Sequence, residues 1–336
     1  MIRRDFLKAT SLLTVGAVGT LAGCTPKTKT ESVESSGVQA PDANVHKTLG
    51  LQIYTLGPEL YAGDLSANFK RIKEMGIDNL ELAGYNPADS KIGGVDMMEF
   101  KKKAEDAGLK IVSSHVNPPQ LFGGVAGKEN KGSDGTFSAS MKNAIVESWK
   151  KIADDHAKLG VQYVVEPMMP ILGSEEAVKS FCDILNASGE VVKAAGLQFG
   201  YHNHNMEFAH VVPGGKKAVL GTIFDKKEGN QIYDLFLANT DPEKVCFEMD
   251  VYWTVMGQND PVEYLQKAKD RIKMLHIKDR MVLGQSGMMN FENIFNQFYA
   301  NGLQYFYIEI EDTNSGKQFE RLQASADYLK KAPFVK

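Results

Sequence analysis

Several short apolar runs in this chain each close on a side chain able to bind a metal or move a proton. LQFGYHNHNMEF, from Leu197 to Phe208, ends its apolar part in His202, Asn203 and His204. On an extended strand alternate side chains share a face. His202 and His204 are therefore expected on one side, with Tyr201 and Asn203 on the other. Two imidazoles at one strand end suit a metal or an acid/base site. The same construction recurs in VQYVVEP at Glu166, VCFEMD at Asp250, IKMLHIKD at His276, and YFYIEIED at Glu309 and Glu311. Carboxylates with imidazoles, and no thiolate, favour one divalent ion (Mn, Zn, Co or Mg) over a structural zinc site. A metal beside a base suits proton abstraction from a carbon next to a carbonyl, because the enolate needs positive charge at its oxygen.

Other residues fall into roles around that chemistry. Glu309 and His204 are the candidate bases, and Lys278, sharing a face with His276, is expected to neutralise a developing oxyanion or to pair with an acid. Glu81 and His115 close two earlier runs and are expected to hold substrate hydroxyls. Trp253 is expected either to stack on a sugar face or to pack in the core. Glu248, two residues before Asp250, reads as an ion-paired residue one layer down rather than a ligand, and Glu311 as a group that orients one.

The elements that must position these residues repeat as strand then helix. Apolar strands are expected at residues 49–56, 77–83, 109–115, 161–166, 197–204, 245–250, 272–277 and 305–310. Helical spacing follows at residues 65–75, 95–107, 138–159, 175–195, 232–238, 261–269, 291–300 and 317–331. Gly76, Gly108, Gly160 and Gly196 end the first four helices, where a left-handed cap residue is wanted. Alternating βα units with apolar strands imply a parallel sheet. Eight of them imply closure into a single (β/α)8 TIM barrel of the α/β class, with the active site where strands end. An open doubly wound sheet is disfavoured because no GxGxxG follows the first strand. The stretches 117–137 and 209–230 are long enough to cover a site rather than merely connect elements.

The first residues read as an address. Arg3 and Arg4 in IRRDFLK form a twin-arginine pattern, a small apolar stretch follows, and LAGC at Leu21–Cys24 resembles a bacterial lipobox. Residues 1–23 are thus expected to be a signal peptide, 24–47 a polar tether and 48–336 the barrel. The expected location is the bacterial cell envelope, exported and lipid-anchored at the periplasm or outer membrane, with Cys24 as the sole membrane attachment. Cys182 and Cys246 lie in apolar surroundings, and no CxxC motif occurs. Acidic and basic residues nearly balance, at 42 and 38, and no basic run appears, so nucleic acid is not an expected partner. A homo-oligomer is left open.

GLKIVSSHV, FGYHNHNMEF, FEMDVYW, MLHIKDR and YFYIEIED, in that order, resemble the xylose-isomerase-like barrel superfamily, in its branch called sugar phosphate isomerase/epimerase. The resemblance spans about residues 49–331. It implies a divalent-metal barrel that moves protons on a sugar or polyol, with ligands Glu, Asp, His and Glu from strands five to eight. Asp250, His276 and Glu309 match the last three; His202 stands where relatives carry glutamate, and Glu166 would supply the missing carboxylate. The expected metal set is therefore Asp250, His276 and Glu309, completed by His202, Glu166 or both. The resemblance implies a sugar isomerase or epimerase acting on a small sugar or glycoside. Its alternatives are a lyase or hydratase of keto-sugars or keto-glycosides, and a non-catalytic sugar-binding lipoprotein. A repair endonuclease would want further histidine ligands and a basic groove.

Overall fold

The computed structural model describes residues 47–122, 135–215 and 228–336. The expected signal peptide, Cys24 and nearly all of the tether lie outside them, as do the middles of the two long loops. Eight parallel strands form the barrel: β1 (Leu49–Gln52), β2 (Ile77–Leu82), β3 (Lys110–His115), β4 (Tyr163–Glu166), β5 (Gln198–His202), β6 (Val245–Asp250), β7 (Ile272–Lys278) and β8 (Tyr305–Glu309). They close in the order β1-β8-β7-β6-β5-β4-β3-β2. The surrounding helices include α1 (Leu65–Glu74), α2 (Met97–Asp106), α3 (Ala139–Leu159), α4 (Glu175–Ala194) and α5 (Ile232–Asn239). Further along come α6 (Val251–Met256), α7 (Pro261–Lys267), α8 (Phe291–Ala300) and α9 (Gln318–Lys331).

Local chemistry sets the helix ends. The side chains of Asp64, Asp96, Ser138, Ser174 and Asp260 accept backbone N–H groups at the starts of α1, α2, α3, α4 and α7. Gly160 closes α3 in the left-handed region, at φ 73°, where a side chain would be strained. The apolar faces so fixed pack on the strands' outer side chains. Trp149 of α3 meets Phe199 edge-on at 5.0 Å, and Phe236 of α5 meets Tyr201 likewise at 5.0 Å. Each such ring, fully buried, contributes roughly 1.5–3 kcal/mol from area alone.

Three elements differ from expectation. The first strand stops at Gln52, because the Gln52 side chain accepts the Tyr54 N–H and turns the chain into a 3-10 segment, Ile53–Tyr61. The fifth strand stops at His202, so His204 lies beyond it in a turn. Asp250 does not lead into a loop; its carboxylate caps α6 by accepting the Trp253 N–H at 2.8 Å. A small antiparallel ribbon (Tyr85–Asn86, Lys91–Ile92, Val95–Asp96) also follows β2. Tyr85 and Ser90 each donate to Asp155 of α3 at 2.6 Å, which ties that ribbon to the helix layer.

Strand alternation divides the interior into layers. Val112, Tyr163, Val165, Cys246, Met274 and Tyr307 form an apolar floor. Two residues further along β5, β6, β7 and β8 come His202, Glu248, His276 and Glu309, and two further still on β6 and β7 come Asp250 and Lys278. The register sets Glu248 beside His202, Asp250 beside His276, and Lys278 beside Glu309.

Candidate metal centre

His202, Asp250, His276 and Glu309 each turn one ligand atom to a common point, those atoms lying within 4.8 Å of one another. All four side chains are buried. Asp250 Oδ2 has no hydrogen-bond partner among the described residues, and neither has His202 Nδ1. A fully buried carboxylate oxygen without a hydrogen bond is costly, and Lys278 Nζ, 3.6 Å away, offsets only part of that cost. Nitrogen and oxygen donors in this number suit a divalent first-row ion or Mg²⁺.

The carboxylates differ in charge preference. Burial pushes Asp250 up to about 7, with Lys278 opposing and Glu309 adding to the rise. Glu309 is buried too, but Lys278 and His276 outweigh that and hold it well below the usual carboxylate range. His276 Nδ1 lies 2.7 Å from Glu309 Oε2. Burial would lower His276, yet Glu248, Glu309 and Glu81 around it raise it well above an ordinary histidine. His202, by contrast, is driven well below by burial and by the neighbouring His276. A bound cation at His276 would take the place of the proton these acids now favour.

Beneath these residues lies a second convergence, His115, His202, Glu248 and His276. Glu248 Oε2 is 2.6 Å from His115 Nε2, 3.2 Å from His276 Nε2 and 3.3 Å from His202 Nδ1. Glu248 is thus the ion-paired residue one layer down that its spacing suggests. Glu81 does not reach a substrate position. Its side chain is fully buried, accepts from Gln52 Nε2 at 2.8 Å and Ser113 Oγ at 2.7 Å, and lies 2.5 Å from His276 Nε2. The substrate-holding role expected for Glu81 is therefore corrected to a supporting one.

Glu166 is a second correction. Tyr163 and Val165 belong to the barrel floor, so Glu166 shares the outward side of β4 with Val164 and joins neither convergence. Burial raises its carboxyl well above the usual range, and its Oε1 has no hydrogen-bond partner among the described residues. Lys278 is a third. Its ammonium is nearly fully buried, 2.5 Å from Glu311, 3.1 Å from Glu309 and 3.6 Å from Asp250, and it is absent from the cavity wall.

Above the metal-competent set opens a cavity of about 400 Å³. His115, His202, His204, Glu309 and Glu311 line it, with Tyr54, Asn117, Pro167 and Met168 adding less polar wall. Burial, then Lys278, lowers His204 to about 4, so its imidazole is neutral near pH 7. Its ring sits 5.1 Å from that of His202 and 5.9 Å from that of Trp253. Trp253 packs behind His204, with the Lys278 ammonium 5.1 Å from its ring, and is not part of the cavity wall. Tyr54, Gln52 and Ser113 were not expected at the site; Gln52 and Ser113 close no run on an ionisable group, and nothing in their neighbourhoods marks them.

Comparison with known proteins agrees with this architecture. A family model described as the xylose isomerase-like TIM barrel matches residues 69–332. The crystal structure of a sugar phosphate isomerase/epimerase from Parabacteroides distasonis is 54% identical, with a TM-score of 0.77, over 86% of this chain and 100% of that one. An inosose dehydratase of Salmonella typhimurium is 27% identical over 106 residues, 32% of this chain; the matched stretch spans only 29% of that relative's length. The IOLI protein, solved with a zinc atom bound, is 14% identical with a TM-score of 0.59, over 86% of this chain and 98% of that one, a likeness of fold alone.

Proposed function

We propose that this chain, which belongs to the family of xylose isomerase-like TIM barrels, is a divalent-metal sugar isomerase or epimerase that removes a proton beside a carbonyl. The observation that carries this reading is the buried set His202, Asp250, His276 and Glu309 beneath an open cavity, their ligand atoms within 4.8 Å of one another. Those four residues would hold the ion. A metal there would supply positive charge to a substrate oxygen that becomes an enolate.

The chain's own residues do the rest. His204 is neutral near pH 7 and lines the cavity, so its free ring nitrogen accepts a proton without first losing one. Glu309 is ionised there and is the second acceptor. His115 faces the cavity while Glu248 grips its Nε2, so its orientation is set for a sugar hydroxyl. Lys278 holds Glu309 ionised and works against the burial that raises Asp250. IRRDFLK and LAGC support action at a bacterial envelope on an exported, lipid-anchored protein.

The test is incubation of metal-loaded protein with keto-sugars and keto-glycosides in D₂O. Deuterium at one carbon, with a primary isotope effect, is expected. Turnover of a good substrate with neither would overturn the proposal in favour of a hydride shift. A second reading, elimination, draws on the inosose dehydratase likeness. It uses the same proton removal but then breaks a C–O bond, so loss of water or of an aglycone from the product distinguishes it.

A further inference from the structure

We propose that Glu81, anchored by Gln52 and Ser113 beneath the cavity, is the positioning residue that makes His276 a metal ligand. The proposal rests on the metal reading above and concerns residues to which that reading gives no part. His276 lies between two acids: its Nδ1 is 2.7 Å from Glu309 Oε2, and its Nε2 is 2.5 Å from Glu81 Oε2. An imidazole that binds a cation through one nitrogen carries its proton on the other. The acid facing Nε2 therefore decides which nitrogen is bare. With Glu81 accepting the Nε2 proton, Nδ1, which faces Glu309, is the nitrogen a cation would take.

Glu81 is built to stay in that place. It is fully buried and does not line the cavity, so no substrate competes for it. Ser113 from β3 donates to Oε1 and Gln52 from β1 donates to Oε2. Gln52 is itself fixed, because its side-chain oxygen accepts the Tyr54 N–H. A register irregularity between Leu80 and Glu81 pairs Glu81 with Ser113, which brings that hydroxyl beside the carboxylate. Three strands thus set one oxygen against His276. Partners of this kind around metal-bound histidines typically carry about 10- to 100-fold of metal affinity.

The lower group His115, His202, Glu248 and His276 offers the rival explanation, a second cation site. Short contacts already occupy that space: His115 Nε2 is 2.6 Å from Glu248, and His276 Nε2 is 2.5 Å from Glu81. The number of metal equivalents bound separates the two explanations.

The experiment is a chelator-competition titration of the full-length protein with Mn²⁺, repeated with Co²⁺ while following its visible spectrum. It compares wild type with Glu81→Gln, Glu81→Leu and Ser113→Ala, and unfolding in chelator is measured alongside. Wild type is expected to bind one equivalent. Glu81→Leu should weaken binding about 100-fold and Glu81→Gln, whose amide oxygen still accepts the Nε2 proton, about 10-fold. Ser113→Ala should weaken it by a smaller factor, and it keeps the test open if Glu81→Leu does not fold. A changed Co²⁺ spectrum in Glu81→Gln is expected, since a merely structural role would leave it alone. Folded Glu81 variants with affinity within twofold of wild type would overturn the proposal, even if their metal-free stability fell. So would a second equivalent in wild type that disappears in those variants. Wild type that binds no metal would instead overturn the reading beneath it, and this proposal with it.

Discussion

Lys278→Met is the perturbation that most directly tests the charge balance at the barrel mouth. The ammonium lies 3.1 Å from Glu309 and 3.6 Å from Asp250, with all three side chains buried. At an effective dielectric of about 20, each attraction is about 5 kcal/mol. Burying the ammonium offsets several kcal/mol of this, but removing one partner strands the others, and such losses run at about 3–5 kcal/mol. Glu311, about a third exposed, is solvent-screened and adds little. The cost depends on pH with a definite sign. Asp250 stands at about 7 in the folded chain even with Lys278 pulling it down, so the substitution raises it further above its unfolded value of about 3.9. An acid raised by folding loses stability as pH climbs from its unfolded toward its folded value. Urea unfolding of the metal-free variant should therefore show a small deficit near pH 4 that grows with pH and is still growing above pH 7, where Asp250 ionises in the folded wild type but not in the folded variant, with the urea slope unchanged. Saturating Mn²⁺ should shrink the deficit, because the ion supplies the missing positive charge. A variant within about 1 kcal/mol of wild type in chelator at pH 8, or a deficit that grows on acidification, would refute the reasoning.

Three further outcomes are expected. Glu166→Gln should change stability by less than about 1 kcal/mol and leave metal content intact, because burial favours the neutral carboxyl and an amide copies its shape; elemental analysis and urea unfolding check both. His156 is buried against Ser114 Oγ at 2.9 Å and the Ile152 carbonyl at 2.7 Å, and burial lowers it to about 4. Its contribution is complete above its unfolded value of about 6.5 and is lost as pH falls toward about 4, worth about 3 kcal/mol; the slope of unfolding free energy over that window should flatten in His156→Gln. Cys24→Ala should release the protein from envelope membranes, which fractionation and the mass of the mature N-terminus would show; retention of a lipid-free protein would count against export by this route.

Much of the scaffold is legible in local chemistry. Gly160 ends a helix where a left-handed residue is needed, as its place after residues 138–159 suggests. FEMD and LHIK also alternate polar with apolar side chains, so Glu248 and Asp250, or His276 and Lys278, share a face on period alone. VVE carries no such phase: a strand apolar on both faces gives no sign of which residue looks inward, and Glu166 turns outward. His204 belongs to no strand, and its place near His202 comes from a turn in which Glu207 accepts its N–H at 2.8 Å.

The sequence by itself determined the order of elements and the supply of acids and imidazoles, because breakers and strand period act over a few residues. Only the tertiary structure decided which of those groups meet. Height in a barrel is set by strand stagger, and stagger belongs to pairs of strands rather than to either one. The pairing of Asp250 with His276, and of Lys278 with Glu309, assembles the metal-competent set. Glu81 ends up under His276 through its pairing with Gln52 and the irregularity that brings Ser113 alongside. Those neighbours lie 29 to 195 residues from Glu81 along the chain, beyond the reach of any local pattern.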